Sequence, residues 1–169
     1  RLPPFTPPRS EDEDREVLLE ALSALGEVAR RAGTRILLEP LNRYEDHMVN
    51  TVAQAAELAA ATGCDAVQVG ADTYHMNIEE ADPLAALRAH AGRIGHVQLS
   101  DSNRLEPGAG HLDWAALLRC LDEIGFGGVL AFECRLSGPP ERVLPRATAA
   151  LRAAARSPRP LATVRGAVA

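Results

Sequence analysis

The chain has 169 residues and a formal net charge of −5, and its 18 basic side chains are all arginine. The acidic balance argues against nucleic acid as the main partner, because phosphate binding wants a basic stripe, and the absence of lysine rules out Schiff-base catalysis. The length suits one domain that buries roughly 70% of the surface its unfolded chain would expose.

Arg1–Arg9 is rich in proline and reads as an extended lead-in. Ser10, with Glu13 three residues on, forms a capping box, and acidic residues crowd the turn that follows, where the helix dipole favours them. The helix so begun carries Val17, Leu18, Ala21, Leu22, Leu25, Val28 and Ala29 as its apolar face and stops at Gly33. Arg35–Glu39 is the first strand. A second helix runs from about Thr51 to Thr62 and ends at Gly63, and Ala66–Asp72 is the second strand. Asp82 caps a third helix with Pro83 at its first position, closed by Gly92. The third strand is Ile94–Ser100. The fourth helix starts at Asp113 and ends at Gly125, with Trp114, Leu117, Leu118 and Leu121 inward. Gly128–Glu133 is the fourth strand and Glu141–Ala155 the fifth helix. Ser157–Ala169 has two prolines and no periodicity, so a disordered tail is expected there.

Strand and helix thus alternate, which predicts an α/β fold with a parallel sheet of the β/α-barrel type over residues 10–156. A full barrel takes about 250 residues. Four β/α units plus a leading helix amount to half of one. Four adjacent parallel strands cannot close a barrel, so both sheet edges stay open and inward residues such as Leu37, Val67, Val97 and Leu130 lack an opposing layer. The expectation is a homo-oligomer or a missing N-terminal half.

Each strand closes on a polar residue: Glu39, Asp72, Gln98 and Glu133. In a barrel these ends converge. Three carboxylates and an amide aimed at one point repel each other unless a cation lies between them, and such oxygen donors suit Mg²⁺ or Mn²⁺. Glu39 and Glu133 are the natural pair for moving a proton next to a carbonyl, one removing it and the other returning it. The alternative for each is a surface carboxylate, which would hold for a single residue but not for four strand ends in register. Asp72 and His75 form D-x-x-H. Asp72 can bind metal or cap a helix; His75 can bind metal, hydrogen-bond a substrate oxygen or face solvent. His96 and Gln98 share a strand face, with Gln98 the better-placed ligand and His96 an interior histidine. Arg104 can clamp a hydroxyl, carboxylate or phosphate, or pair with Asp101 or Glu106. Two long loops, Pro40–Asn50 and Asp101–His111, follow strands and lie on the same side as these residues.

The segments LLEPLNRYE (Leu37–Glu45), GADTYHMNIEE (Gly70–Glu80), GHVQLSDSNRLEPGAGHLDW (Gly95–Trp114) and FEC (Phe132–Cys134) resemble the sugar isomerase/epimerase family of xylose-isomerase-like TIM barrels, in its C-terminal half. The family includes ketose 3-epimerases, hydroxypyruvate isomerase, inosose-processing enzymes and, more distantly, nucleases of the endonuclease IV type. The resemblance implies a sugar or sugar-phosphate isomerase or epimerase that works through an enediolate. It implies Glu39 as metal ligand and base, Asp72 as second ligand and Glu133 as last ligand and second acid/base. Glu45, His75 and Arg104 would contact substrate. The third ligand is histidine in the ketose 3-epimerases, where this chain has Gln98; hydroxypyruvate-isomerase-like members carry glutamine there. Other readings are a hydroxypyruvate isomerase or inosose dehydratase, an endonuclease IV-like nuclease, or an inactive half-barrel or remnant.

Cys64, Cys120 and Cys134 form neither a zinc-type pair nor a disulfide framework. No apolar run approaches the ~20 residues of a membrane span, and no signal peptide is visible. The expected setting is the cytoplasm, with a small carbohydrate as partner and no membrane.

Overall fold

The structure is a computed structural model that describes residues 10–156. The lead-in expected over 1–9 and the disordered tail expected over 157–169 lie outside the described residues.

Helix α1 (Glu11–Arg31) opens on the capping box read from the sequence. The Ser10 hydroxyl accepts the Glu13 N–H at 3.3 Å, and the Glu13 carboxylate accepts the Ser10 N–H at 2.8 Å. Such a cap contributes about 1 kcal/mol. Its seat differs from the expected apolar face. Asp14, Leu22, Gly26 and Ala29 are buried, whereas Val17, Leu25 and Val28 are 49%, 51% and 55% exposed. Gly26 explains the rotation: a Cβ there would come within 2.6 Å of Val67 Cγ2 and 3.3 Å of Cys64 Sγ. The helix therefore packs by the side that holds Gly26 and Leu22, and Val17, Leu25 and Val28 turn outward.

The strands are β1 (Ile36–Leu38), β2 (Val67–Asp72), β3 (Ile94–Leu99) and β4 (Leu130–Phe132). They form one four-stranded sheet in the order β1-β2-β3-β4, all parallel, with β1 and β4 at its edges. The intervening helices are α2 (Val52–Ala61), α3 (Thr73–Glu79), α4 (Pro83–Ala89), α5 (Trp114–Glu123) and α6 (Pro140–Ala155), with a single 3₁₀ turn at Ala91–Arg93. Asp82 caps α4 as its sequence position predicts, and Thr51 and Asp113, expected as the helix starts, cap α2 and α5. Gly33, Gly63 and Gly125 stop their helices in the left-handed conformation, at φ +68°, +65° and +68°, where glycine has no Cβ penalty. Helix α3 is not foreseen by the sequence reading.

The core lies between the sheet and its helices. Val67, Val69, Ala71 and Val97 are 0% exposed, and they meet Val52, Ala55, Leu58, Leu87, Leu117 and Cys120 of the covering helices. This corrects the expectation that Val67, Val97 and Leu130 line the inner face. Val67 and Val97 face the helices, and Leu130 is the register partner of Val97 and shares its side. The opposite face carries Leu37, Gln68, Gly70, His96 and Gln98, and there Leu37 is 39% exposed. Gly95 is required on that side, because a Cβ would collide with the Gln68 side chain and lie 2.9 Å from Leu37 Cδ2.

Candidate active site

All four strands run the same way, so their C-terminal ends form one rim. Glu39 follows β1, Asp72 ends β2, Gln98 is the next-to-last residue of β3 and Glu133 follows β4, its N–H bonded to the Leu99 carbonyl at 3.2 Å. Asp72 and Gln98 are register partners. Glu39 lies two residues beyond Leu37 and Glu133 two beyond Ala131, the register partner of Gln98. The alternation of strand side chains therefore turns the group toward the inner face.

Glu39, Asp72 and His75 each offer a ligating atom, all within 4.8 Å of one another. The His75 Nε2 is 3.7 Å from Glu39 Oε1. Asp72 is 1% exposed. One of its oxygens accepts the Tyr74 N–H at 2.7 Å, capping α3, and the other accepts from Arg104 at 2.8 Å. The capping role read from the sequence is thus present, and the second oxygen is held by Arg104. Gln98 Nε2 donates to Glu133 Oε2, and the Arg104 guanidinium lies 3.6 Å from Glu133 and 4.8 Å above the Tyr74 ring. Arg104 therefore pairs inward with Asp72 and Glu133, not with Asp101 or Glu106.

Asp101 and Glu106 are absorbed by loop architecture. Asp101 is 0% exposed and accepts four donors: the N–H groups of Ser102 (2.8 Å), Gly108 (2.8 Å) and Leu112 (3.2 Å) and the Trp114 indole (2.9 Å). Burial alone would raise its pKa; the indole and the three backbone donors outweigh it and hold the carboxyl below its ordinary value. Glu106 accepts the Ser137 N–H at 2.9 Å and its hydroxyl at 2.5 Å. Arg104 has φ +62°, and its carbonyl accepts the Arg135 N–H at 2.8 Å.

Glu39 has the most unusual environment. Its Oε1 is buried and has no hydrogen-bond partner. Desolvation first, then the charges of Glu133 and Asp72, push its pKa up to about 7, against the opposing pull of Arg104. Desolvation also lowers the pKa of His75, against the pull of Asp72. Beside these residues opens a cleft of ≈ 600 Å³ lined by Glu45, Tyr74, Asn103, Arg104, Glu133, Cys134 and Arg135.

Two contributors escape the sequence reading. Tyr74 supports Arg104 from below. Asn42, 1% exposed, bonds both His75 and Glu45. Only its place in the L-N-R-Y-E segment could have signalled it.

A parallel β/α sheet with acidic residues gathered at its C-terminal rim is a barrel-enzyme arrangement. The family model described as a xylose isomerase-like TIM barrel matches residues 1–154, and the chain belongs to that family. It is 44% identical over 136 residues to the 3-dehydro-D-guloside 4-epimerase of Escherichia coli (strain K12), a match covering 80% of this chain and 52% of the relative. It is 42% identical over 113 residues to the L-ribulose 3-epimerase of Mesorhizobium japonicum, covering 67% of this chain and 38% of the relative. The apo crystal structure of the 3-keto-D-glucoside 4-epimerase from E. coli matches with a TM-score of 0.86 at 42% identity, over 90% of this chain and 59% of that one. The chain thus spans about half the length of the curated relatives it matches, and these relatives are sugar epimerases. No described helix is long and apolar enough to cross a membrane.

Proposed function

We propose that this chain supplies the catalytic rim of a divalent-metal-dependent sugar epimerase acting on a carbon next to a ketone. The buried, unpartnered Glu39 oxygen carries this reading. A carboxylate oxygen cut off from water and surrounded by further acidic groups calls for a positive charge. Glu39, Asp72, Gln98 and Glu133 have the hard oxygen donors that fit Mg²⁺ or Mn²⁺. Such an ion would supply Lewis-acid polarisation of a substrate carbonyl.

The proton work falls to this chain's own carboxylates. In the metal-free chain, burial and the neighbouring carboxylates raise the Glu39 pKa to about 7; a bound cation would offset that rise and hold the carboxylate ionised, the form a general base needs. Glu133, on the far strand of the rim, serves the other face of the carbon. Arg104, His75 and Glu45 orient the sugar oxygens. The relatives' names support a keto-sugar: one is epimerised at position 4 beside a 3-dehydro carbon, the other is a ketose epimerised at position 3. They favour an epimerase over a hydroxypyruvate isomerase or an inosose dehydratase.

Calorimetry with Mn²⁺ tests the metal site. Gln98→Leu should weaken binding strongly, whereas Gln98→His should keep or strengthen it, since imidazole is a good ligand for this ion. Equal affinity in all three proteins would remove Gln98 from the coordination shell. In protein that turns over a keto-sugar, Glu133→Gln should abolish exchange of the substrate C–H with solvent deuterium or restrict it to one epimer. Unchanged exchange would exclude Glu133 as acid/base.

A further inference from the structure

His75 has two ring nitrogens with different neighbours. Nδ1 lies 3.0 Å from the backbone N–H of Asn42 and 2.8 Å from the Asn42 side-chain amide nitrogen. A backbone N–H can only donate, so Nδ1 must be the ring's acceptor. The amide orientation is fixed independently. The Asn42 Oδ1 accepts the Tyr44 N–H at 3.0 Å, and its Nδ2 donates to Glu45 Oε1 at 2.9 Å. Turning the amide over would set its oxygen against both the Glu45 carboxylate and His75 Nδ1 and leave the Tyr44 N–H facing an NH₂ group. Asn42 and His75 are each 1% exposed, so water does not compete for these bonds. Two donors on Nδ1 leave one neutral form, with the proton on Nε2. Nε2 is the nitrogen that points into the rim, 3.7 Å from Glu39 Oε1.

We propose that Asn42 is a positioning residue that locks His75 as the Nε2–H tautomer and ties it to Glu45, so that His75 meets the site as a hydrogen-bond donor and is not a metal ligand. A ligating imidazole needs a free lone pair on the nitrogen facing the metal, and here that nitrogen carries the ring's only proton. Proximity to Glu39 and Asp72 alone would have counted His75 among the ligands; the hydrogen bonds behind the ring remove it. What remains is a fixed N–H on the side of Glu39, 3.7 Å from its Oε1, and a substrate oxygen bound at the rim is the acceptor it would take. The same amide holds Glu45, so one side chain sets two of the three groups assigned to the sugar. The sugar-facing role rests on the proposed function; the tautomer does not.

The experiment is long-range ¹H–¹⁵N correlation of the histidine rings in the full chain, with the His75 signals assigned by their loss in His75→Gln. In the metal-free protein His75 should show a protonated Nε2 and an unprotonated Nδ1, and saturating Mg²⁺ should leave Nε2 protonated. Asn42→Asp places an acceptor opposite Nδ1 and should draw a proton onto that nitrogen. An Nδ1–H ring or averaged tautomers in the wild type would overturn the lock. Loss of the Nε2 proton on adding Mg²⁺ would make His75 a ligand and overturn the donor role. A ring unmoved by Asn42→Asp would remove the Asn42 side chain from the mechanism. The wild-type spectra decide the tautomer even if that variant does not fold. Because no substrate is present, a confirmed tautomer in a protein that epimerises nothing would count against the proposed function alone.

Discussion

The two faces of the sheet were built to opposite rules. Toward the helices, Val67, Val69, Ala71 and Val97 are fully buried among other aliphatic side chains. Toward the inside, the same strands present Gln68, Gly70, His96 and Gln98 and end in carboxylates. The outer face gains free energy from every group it holds. The rim places Glu39 and Asp72 together at a cost, visible in the raised pKa of Glu39 and its unpartnered oxygen. The lesson is that removing a side chain should have opposite signs on the two sides.

The largest effect belongs to the covered face. Leu87 is 0% exposed, and Leu87→Ala should lower stability by about 2–5 kcal/mol. Urea denaturation measures it; a loss well below that range would show that the helix layer collapses around the gap.

Asp101 sharpens the comparison, since it lies near the rim yet behaves like core. Asp101→Ala orphans three backbone N–H groups and the Trp114 indole. It should cost about 3 kcal/mol and change the Trp114 fluorescence. An unchanged spectrum and melting curve would mean that other acceptors take over.

Glu39→Gln should reverse the sign. In metal-free protein it removes a charge from an acidic, desolvated position and should raise stability by about 1–3 kcal/mol near neutral pH, while abolishing any epimerisation. Destabilisation instead would show that the rim carboxylate is well solvated.

The smallest effect is the accompanying pH dependence. Folded Glu39 keeps its proton up to about 7, whereas the ordinary value is 4.5. Between these values the folded state binds more protons than the unfolded one, so stability falls as pH rises through that window and is level, in this contribution, on either side. Urea midpoints with a chelator present should show the fall in the wild type and a flatter profile in Glu39→Gln. Parallel profiles would assign the slope to another group.

Much of this was legible in the sequence. The caps at Ser10 and Asp82, the helix starts at Thr51 and Asp113 and the four strand-end polar residues could be read because each follows from local chemistry. The sides of Val67 and Val97 follow from alternation as well: each adjoins a glutamine, Gln68 or Gln98, and neighbours along a strand face opposite ways, so a Gln98 turned to the rim sends Val97 to the helices, against the expectation that both face inward. Helix α3 was hidden because Thr73–Glu79 has no apolar period; it starts only because Asp72 both ends β2 and caps the next turn. Asn42 read as a loop residue, since its partner His75 is 33 positions away. The alternative for Arg104, a pair with Asp101 or Glu106, is closed because Ser102, Gly108, Leu112 and Trp114 hold Asp101 and Ser137 holds Glu106.

The loop after β3 and the segment after β4 are stitched together at two points, Arg104 carbonyl to Arg135 N–H and Glu106 to Ser137. The first loop is itself gathered on Asp101. Amide hydrogens at Gly108, Leu112, Arg135 and Ser137 are therefore held by one connected set of acceptors. Their exchange with solvent deuterium should keep a common pace, because no one of them is released without loosening the rest. The rim on that side would open all at once, and between openings Arg104 would be kept in place by both segments.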